Sequence, residues 1–148
     1  MLTISPEPLD SADARRLIGE LDAHLMSMYP PEDNFMELPT ADAFLIARDD
    51  GHAVGCGAVR FIDVGVAEVK RMYVAPEARG KGVGRRIMDE LEAFVRSKGG
   101  HRLVLETGPK QFEAIALYER FGFTRTDCWG EYVHGNNSIC YAKPLTPG

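Results

Sequence analysis

The chain has 148 residues, of which 45% are hydrophobic and 26% charged, and this balance predicts one globular domain over residues 1–148 rather than a disordered chain. Its net charge of -5 at pH 7 argues against nucleic acid as a partner, because a protein that follows a phosphate backbone needs a cationic surface. No apolar run approaches the ~20 residues of a membrane helix and no signal-peptide pattern is present, so we expect no membrane partner and a cytoplasmic location.

The first part of the chain predicts a strand, a helix and an irregular segment. Residues 2–5 indicate a short edge strand. A helix is predicted to begin after Asp10 or Ser11, either of which can cap it, and to end before Pro30, which lacks an N–H to donate. Its buried face is defined by apolar residues at helical spacing, which are Leu17, Ile18, Leu21, Leu25 and Met28.

The middle and the end of the chain predict six more strands and two more helices. Asp49, Asp50 and Gly51 form a tight-turn signal between two strands of a hairpin, and the glycines at 55 and 57 weaken the second strand or mark a bulge. The resulting order predicts a mixed α/β sheet rather than a regular doubly wound one. The predicted strands cover 43–48, 52–62, 67–74, 102–106, 123–128 and 138–142, and the predicted helices cover 82–98 and 111–121.

The cysteines and histidines do not show metal-site spacing. Cys56, Cys128 and Cys140 are scattered, with no CxxC pair, so we expect neither a zinc site nor a disulfide framework, and a reducing compartment. The four histidines show no HxxxH or HxH spacing, and we therefore expect no metal.

A glycine-rich loop is the most informative segment. Arg79 is followed by Gly80, Gly82 and Gly84, after a predicted strand and at the start of a long amphipathic helix. Closely spaced glycines let backbone N–H groups approach a ligand, and a helix N-terminus adds unpaired donors and a positive dipole end. An oligophosphate complements that arrangement. The spacing matches neither the P-loop nor the dinucleotide-binding pattern.

The RxxGxG spacing in this context resembles the pyrophosphate signature [QR]xxGx[GA] of the GNAT acyltransferases. A second block, from Ala114 to Phe123, resembles the AxxLYxxxGF helix of the same family, after a strand ending in Leu105-Glu-Thr-Gly. The resemblance implies a mostly antiparallel, twisted sheet of six to seven strands flanked by helices. It also implies acetyl-CoA as cosubstrate.

The resemblance implies cofactor-binding roles for particular residues. The pantetheine arm would lie along the backbone of Met72, Tyr73 and Val74, and near Gln111, where the family often has Asn. The residues implied at the pyrophosphate are Arg79, Gly80, Lys81, Gly82, Val83, Gly84 and Arg85.

Three residues are implied in catalysis. The Met72 N–H would stabilise the negative charge that develops on the thioester oxygen. Tyr118 matches the tyrosine that protonates the departing thiolate in many members, and Glu68 matches a general-base glutamate of some members. The alternatives are a core aromatic for Tyr118 and a solvent-facing or lysine-paired glutamate for Glu68.

The sequence therefore predicts an N-acetyltransferase that acts on the primary amine of a small molecule by direct attack in a ternary complex. Two alternatives stay open, which are a non-catalytic acyl-CoA-binding sensor and an acetyltransferase for protein N-termini or lysines. Residues 26–37 fall where the family varies to select the acceptor, and their other interpretation is a packed connector. A homodimer is compatible with the resemblance.

Overall fold

The computed structural model describes residues 1–29, 40–134 and 138–146. Within these ranges, seven strands and three α-helices follow the predicted order, and two short 3₁₀-helices, Pro76–Ala78 and Gly130–His134, were not predicted. The strands are β1 (Leu2–Pro6), β2 (Ala43–Asp49), β3 (His52–Asp63), β4 (Val66–Val74), β5 (Arg102–Thr107), β6 (Thr124–Thr126) and β7 (Ile139–Pro144). The helices are α1 (Ala12–Met28), α2 (Val83–Ser97) and α3 (Phe112–Arg120).

The strands form one sheet in the order β1-β2-β3-β4-β5-β7-β6. Every neighbouring pair is antiparallel except β4 and β5, which are parallel and are connected through α2. The predicted fold class, a mixed and mostly antiparallel sheet flanked by helices, is confirmed. The single parallel pair is important for the site, because it lies at the centre of the sheet.

Helices cover both faces of the sheet, and the alternation of side chains along the strands separates two cores. In β2, Phe44 and Ile46 point to the core that α1 covers, whereas Leu45 and Ala47 point to the larger core under α2 and α3. Helix α1 begins as predicted, since the Ser11 Oγ accepts a hydrogen bond from an N–H of its first turn.

The prediction that the cysteines form no disulfide is wrong for one pair, because Cys128 and Cys140 are joined by a disulfide with their Cα atoms 5.3 Å apart. Antiparallel pairing of β6 with β7 places Thr126 opposite Cys140, and the chain then brings Cys128 beside it. Rules based on CxxC spacing do not detect a pair that a strand pairing brings together. Among the described residues, Cys56 is a free, buried thiol.

None of the helices within the described ranges combines the length and the apolar character that a membrane-spanning helix needs.

Candidate active site

Strand β4 contains a bulge at the centre of the sheet. Its pairing with β3 shifts between Tyr73 and Lys70, so that Arg71 and Met72 together face the single residue Gly57. Arg71 has a φ of 59°, in the left-handed region that non-glycine residues rarely adopt. The sequence predicted that the glycines of β3 weaken the strand or mark a bulge. The pairing of β2 with β3 does shift register beside Gly55, whereas the bulge between β3 and β4 has its extra residue on β4. The bulge turns this part of β4 away from regular pairing.

Strands β4 and β5 separate just before this bulge, after Glu68. Their register consists of three pairs, from Val66 with Arg102 to Glu68 with Val104, after which β5 continues against β7. The separation opens a cleft between the two strands, α1 and α3. The residues that line it are Leu21, Leu25, Glu68, Val69, Lys70, Arg71, Met72, Glu106, Thr107, Gln111, Tyr118 and Tyr132.

The glycine-rich loop follows β4 and starts α2. Gly80 and Gly82 both have a φ of 79°, and Gly82 is the N-cap of the helix. A Cβ at either position would meet no atom within 4 Å, so the backbone here borders open space. Gly84 differs, since a Cβ there would lie 2.9 Å from Leu117 of α3. Gly80 and Gly82 thus form an open cradle at a helix N-terminus, whereas Gly84 is required for helix packing.

The cationic side chains beside this loop have their own contacts. Arg79 donates from Nε to the Val74 carbonyl at 3.1 Å, and one of its terminal nitrogens lies 4.0 Å from Glu113. Lys81 and Arg85 are exposed, and the Arg85 guanidinium also lies 5.5 Å from the centre of the Phe121 ring. All three cations are at the surface and can turn towards an anion.

Tyr118 projects from α3 into the cleft and is 7% exposed. Burial raises the pKa of its phenol, and the negative charge of Glu106 adds to the effect, so the hydroxyl carries its proton at neutral pH. Its ring makes an edge contact with Phe123, with 6.0 Å between ring centres. Gln111, the N-cap residue of α3, also lines the cleft. Four of the predicted site residues therefore line the same cleft, which are Glu68, Met72, Gln111 and Tyr118.

Glu68 is 2% exposed and is hydrogen-bonded within the protein. The Tyr132 hydroxyl donates to its Oε2 at 2.6 Å, and an Arg60 nitrogen lies 3.6 Å from its Oε1. Lys70 reaches the same tyrosine, with 3.2 Å between Nζ and the hydroxyl oxygen. The interpretation of Glu68 as a solvent-facing residue is thus wrong. Sequence reasoning missed Tyr132, which comes from the unpredicted 3₁₀-helix.

Sequence reasoning also missed Glu106, a second carboxylate in the cleft. Burial is the main cause that raises its pKa to about 7, and the nearby charge of Glu68 adds to the effect. A hydrogen bond from Ser138 and the charge of Lys70 act in the opposite direction and lower the pKa. The Ser138 Oγ lies 3.0 Å from the Glu106 Oε2. The signal was available, because a charged residue inside an apolar strand is rarely buried without a function or a partner.

These features fit a long ligand that carries a phosphate end and an acyl end. The open cradle suits a pyrophosphate, and the edge of β4 beyond Glu68 can pair with an extended amide-bearing arm. The arm would lead to a cleft with a neutral tyrosine and two carboxylates. In the described part of the chain, no group of three or more His, Cys, Asp or Glu side chains is placed to hold a metal ion. Most of the segment predicted to select the acceptor, residues 30–37, lies outside the described residues.

Comparison with known proteins agrees with this geometry. Residues 11–123 match the Acetyltransferase (GNAT) family. An IAA acetyltransferase from Azospirillum brasilense is 42% identical over 151 aligned positions, which cover 97% of this chain and 98% of that protein. The crystal structure of a proposed acyl-CoA N-acyltransferase from Klebsiella pneumoniae covers 99% of both chains with a TM-score of 0.87 and 36% identity. A GNAT family acetyltransferase from Elizabethkingia anophelis with acetyl-CoA bound shares the fold, with a TM-score of 0.71 at 18% identity over 97% of this chain and 98% of that one.

Proposed function

The chain belongs to the GNAT acetyltransferase family and is an acyltransferase, and on that premise we propose that it transfers the acetyl group of acetyl-CoA to the primary amine of a small molecule. The observation that supports the proposal is the cleft between β4 and β5, which holds a buried tyrosine and two carboxylates, together with the open glycine cradle that follows β4. A bound acetyl-CoA would supply the reactive thioester.

Binding of the cosubstrate is proposed to use backbone groups more than side chains. The N–H groups around Gly80, Gly82 and the first turn of α2 would hold the pyrophosphate, with Arg79 and Arg85 adding charge. The backbone of β4 from Met72 to Val74 would pair with the pantetheine arm, and Gln111 would contact it from the other side. The N–H of Met72 would then donate to the thioester oxygen as negative charge develops there.

The amine must lose a proton before or during its attack, and two carboxylates are placed to accept it. We propose Glu106 alongside Glu68, because its pKa of about 7 leaves a fraction of it able to accept a proton at neutral pH and to release it again. Glu68 already accepts a hydrogen bond from Tyr132 and lies beside Arg60. Its role would be to attract the cationic amine, with proton transfer as the second assignment.

Tyr118 is proposed to act at the leaving group. As the amine nitrogen bonds to the acetyl carbon, the bond from that carbon to sulfur breaks and leaves a thiolate, which takes the Tyr118 proton. Burial holds that phenol in its protonated form, so it is available as a donor at any pH at which the protein works. The carboxylate then releases the proton that it took from the amine to solvent, and the Tyr118 phenolate takes a proton back from solvent.

The test is to incubate the purified protein with acetyl-CoA and a panel of small amines and to measure free thiol, with product identity confirmed by mass spectrometry. Thiol release that depends on a small amine is the expected result. Binding of acetyl-CoA without release by any small amine would contradict the proposal and favour the sensor alternative. Release only with protein or peptide acceptors would favour the protein acetyltransferase alternative.

A further inference from the structure

The cleft between β4 and β5 contains a guanidinium whose hydrogen bonds are incomplete. Arg71 is held at a positive φ in the β4 bulge, and its side chain is 11% exposed. One terminal nitrogen pairs with Asp22 of α1 at 2.8 Å, while the buried Nε has no hydrogen-bond partner among the described residues. Non-glycine residues persist at such a φ only when the surrounding structure enforces it. The protein therefore holds a partly unsatisfied cation in its cleft.

A second buried polar atom without a partner lies on the opposite strand. Thr107, at the end of β5, is 3% exposed, lines the cleft, and its Oγ1 has no hydrogen-bond partner within the described ranges. Buried donors left without partners are costly, and they are expected where a ligand or water supplies the missing bond. Each wall of the cleft thus has one buried polar atom, on Arg71 or on Thr107, whose missing hydrogen bond a ligand can supply.

A carboxylate is the group that complements this arrangement. A guanidinium binds carboxylates through parallel N–H groups, with shorter and stronger hydrogen bonds than a neutral acceptor provides. Lys70 precedes Arg71 in the chain and adds a second positive charge on the same wall. Glu68 and Glu106 line the cleft as well and complement an ammonium group, and Leu21 and Leu25 offer an apolar surface. The cleft therefore has charges of both signs and an apolar wall.

We propose that the acceptor is an amine that also carries a carboxylate, an amino acid or a related amino carboxylic acid, and that Arg71 binds this carboxylate. The inference rests on the proposed acetyl transfer and adds the substrate class to it. Arg71 acts here as a specificity-determining residue and takes no part in proton transfer. Thr107 would donate a further hydrogen bond to the same ligand.

The test compares matched substrates that differ at the carboxylate alone. Phenylalanine, phenylalaninamide and phenethylamine, with the corresponding leucine and methionine series, would be assayed with acetyl-CoA. Rates are compared at equal concentrations of the unprotonated amine, because the substituents change the pKa of the amine. We expect kcat/KM to be about tenfold or more higher for the carboxylate form in at least one series, as for a charged hydrogen bond gained. Equal use of all three forms would overturn the inference and leave the proposed function standing.

The variant Arg71→Asn tests the assigned residue, since asparagine tolerates a positive φ better than most side chains. It should raise KM for the amino acid about tenfold or more and raise KM for the carboxylate-free amine by a much smaller factor. Asp22→Asn keeps the guanidinium and is the matched control, which should retain the preference for the carboxylate. Acetyl-CoA binding by both variants checks that they are folded.

An unchanged substrate preference in Arg71→Asn would contradict the assignment of Arg71. Failure of every amine to release thiol, in a protein that binds acetyl-CoA, would instead contradict the proposed function itself. The two failures are thereby distinguished.

Discussion

At the scale of single residues, the cleft holds ionisable groups in contrasting environments. Tyr118 is kept protonated by burial, Glu106 has a pKa raised to about 7, and Glu68 is hydrogen-bonded by Tyr132. When the environments of two groups shift their pKa values apart, one group can act as the acid and the other as the base. Each of them can be replaced by a side chain of nearly the same shape, so chemistry can be tested without disturbing the packing.

Tyr118→Phe should lower kcat about 10²-fold with little change in the KM for acetyl-CoA, because it removes the proton donor and keeps the ring. The measurement is steady-state thiol release with a fixed, active amine. Tyr141→Phe is the matched control, since Tyr141 is also buried but donates its hydroxyl to Glu119, which does not line the cleft. Wild-type kcat in Tyr118→Phe would show that the thiolate leaves without an acid from this residue.

Glu106→Gln should make the protein more stable at pH 8 and less active. The folded pKa of about 7 lies above the ordinary value of 4.5, so the folded protein holds a proton that the unfolded chain has released. Stability therefore falls as the pH rises from about 4.5 to 7, and the variant avoids that loss, which amounts to as much as about 3 kcal/mol. Urea unfolding at pH 4 and pH 8 measures it, with the two proteins similar at pH 4 and different at pH 8.

The same variant distinguishes the two candidate bases. If Glu106 accepts the proton, the pH dependence of kcat/KM should lose a limb near pH 7 in Glu106→Gln, and activity should return at high pH, where the free amine forms unaided. Glu68→Gln should keep that limb. The opposite outcome, with the limb lost only in Glu68→Gln, would return the base role to Glu68.

At the scale of elements, helix α2 has a glycine of positive φ just outside each end. Gly82 precedes its first turn and Gly99 follows its last, with φ of 79° and 82°, and a Cβ at either would meet no atom within 4 Å. The two positions are alike in backbone conformation and in free space, but only Gly82 belongs to the proposed phosphate cradle. They form a matched pair for testing what the loop does.

Gly82→Val should weaken CoA binding at least about tenfold, whereas Gly99→Val should leave it unchanged. Both variants should lose at least about 1 kcal/mol of stability, since a side chain at positive φ is strained. Calorimetric titration with CoA and thermal unfolding give the two quantities. Equal affinity in both variants would mean that the pyrophosphate does not bind at Gly82.

The disulfide joins the ends of the segment that supplies hydrogen bonds to both carboxylates. Tyr132 and Ser138 lie between Cys128 and Cys140, and they bond Glu68 and Glu106 respectively. We expect thiol titration of the unfolded, unreduced protein to find one free thiol per chain rather than three. Reduction should lower the free energy of unfolding by about 3 kcal/mol, as for a loop of this length, and should lower kcat. Cys56→Ala should respond to reductant like the wild type, and three titratable thiols would contradict the bond.

At the scale of the whole molecule, we expect acetyl-CoA binding to stabilise the fold. Acetyl-CoA would contact β4, the start of α2 and α3, so its binding should stabilise the folded state as a unit. At 100 times its dissociation constant the stabilisation should be ~2.7 kcal/mol, measured as a rise in Tm by thermal unfolding. ATP and NAD should raise Tm much less, and equal stabilisation by NAD would contradict the proposed cosubstrate.

Local patterns in the sequence were sufficient for the strands and α-helices and for the proposed phosphate cradle. Helical spacing of apolar residues predicted α1 and α2 to within a few residues, and the closely spaced glycines indicated Gly80 and Gly82, because both signals act over a few positions of the chain. The resemblance to the family also named Tyr118, which the structure places in the cleft.

Only the tertiary structure decided which distant residues meet. The separation of β4 from β5, the buried Glu106, the hydrogen bond from Tyr132 to Glu68 and the unsatisfied Nε of Arg71 all join segments far apart in the chain. Burial and partnering are properties of three-dimensional packing, and they set the pKa of a carboxylate and the hydrogen bonds left open for a ligand. The sequence by itself therefore determined the fold and the family, whereas the chemistry of the cleft depends on contacts between residues that are far apart in the sequence.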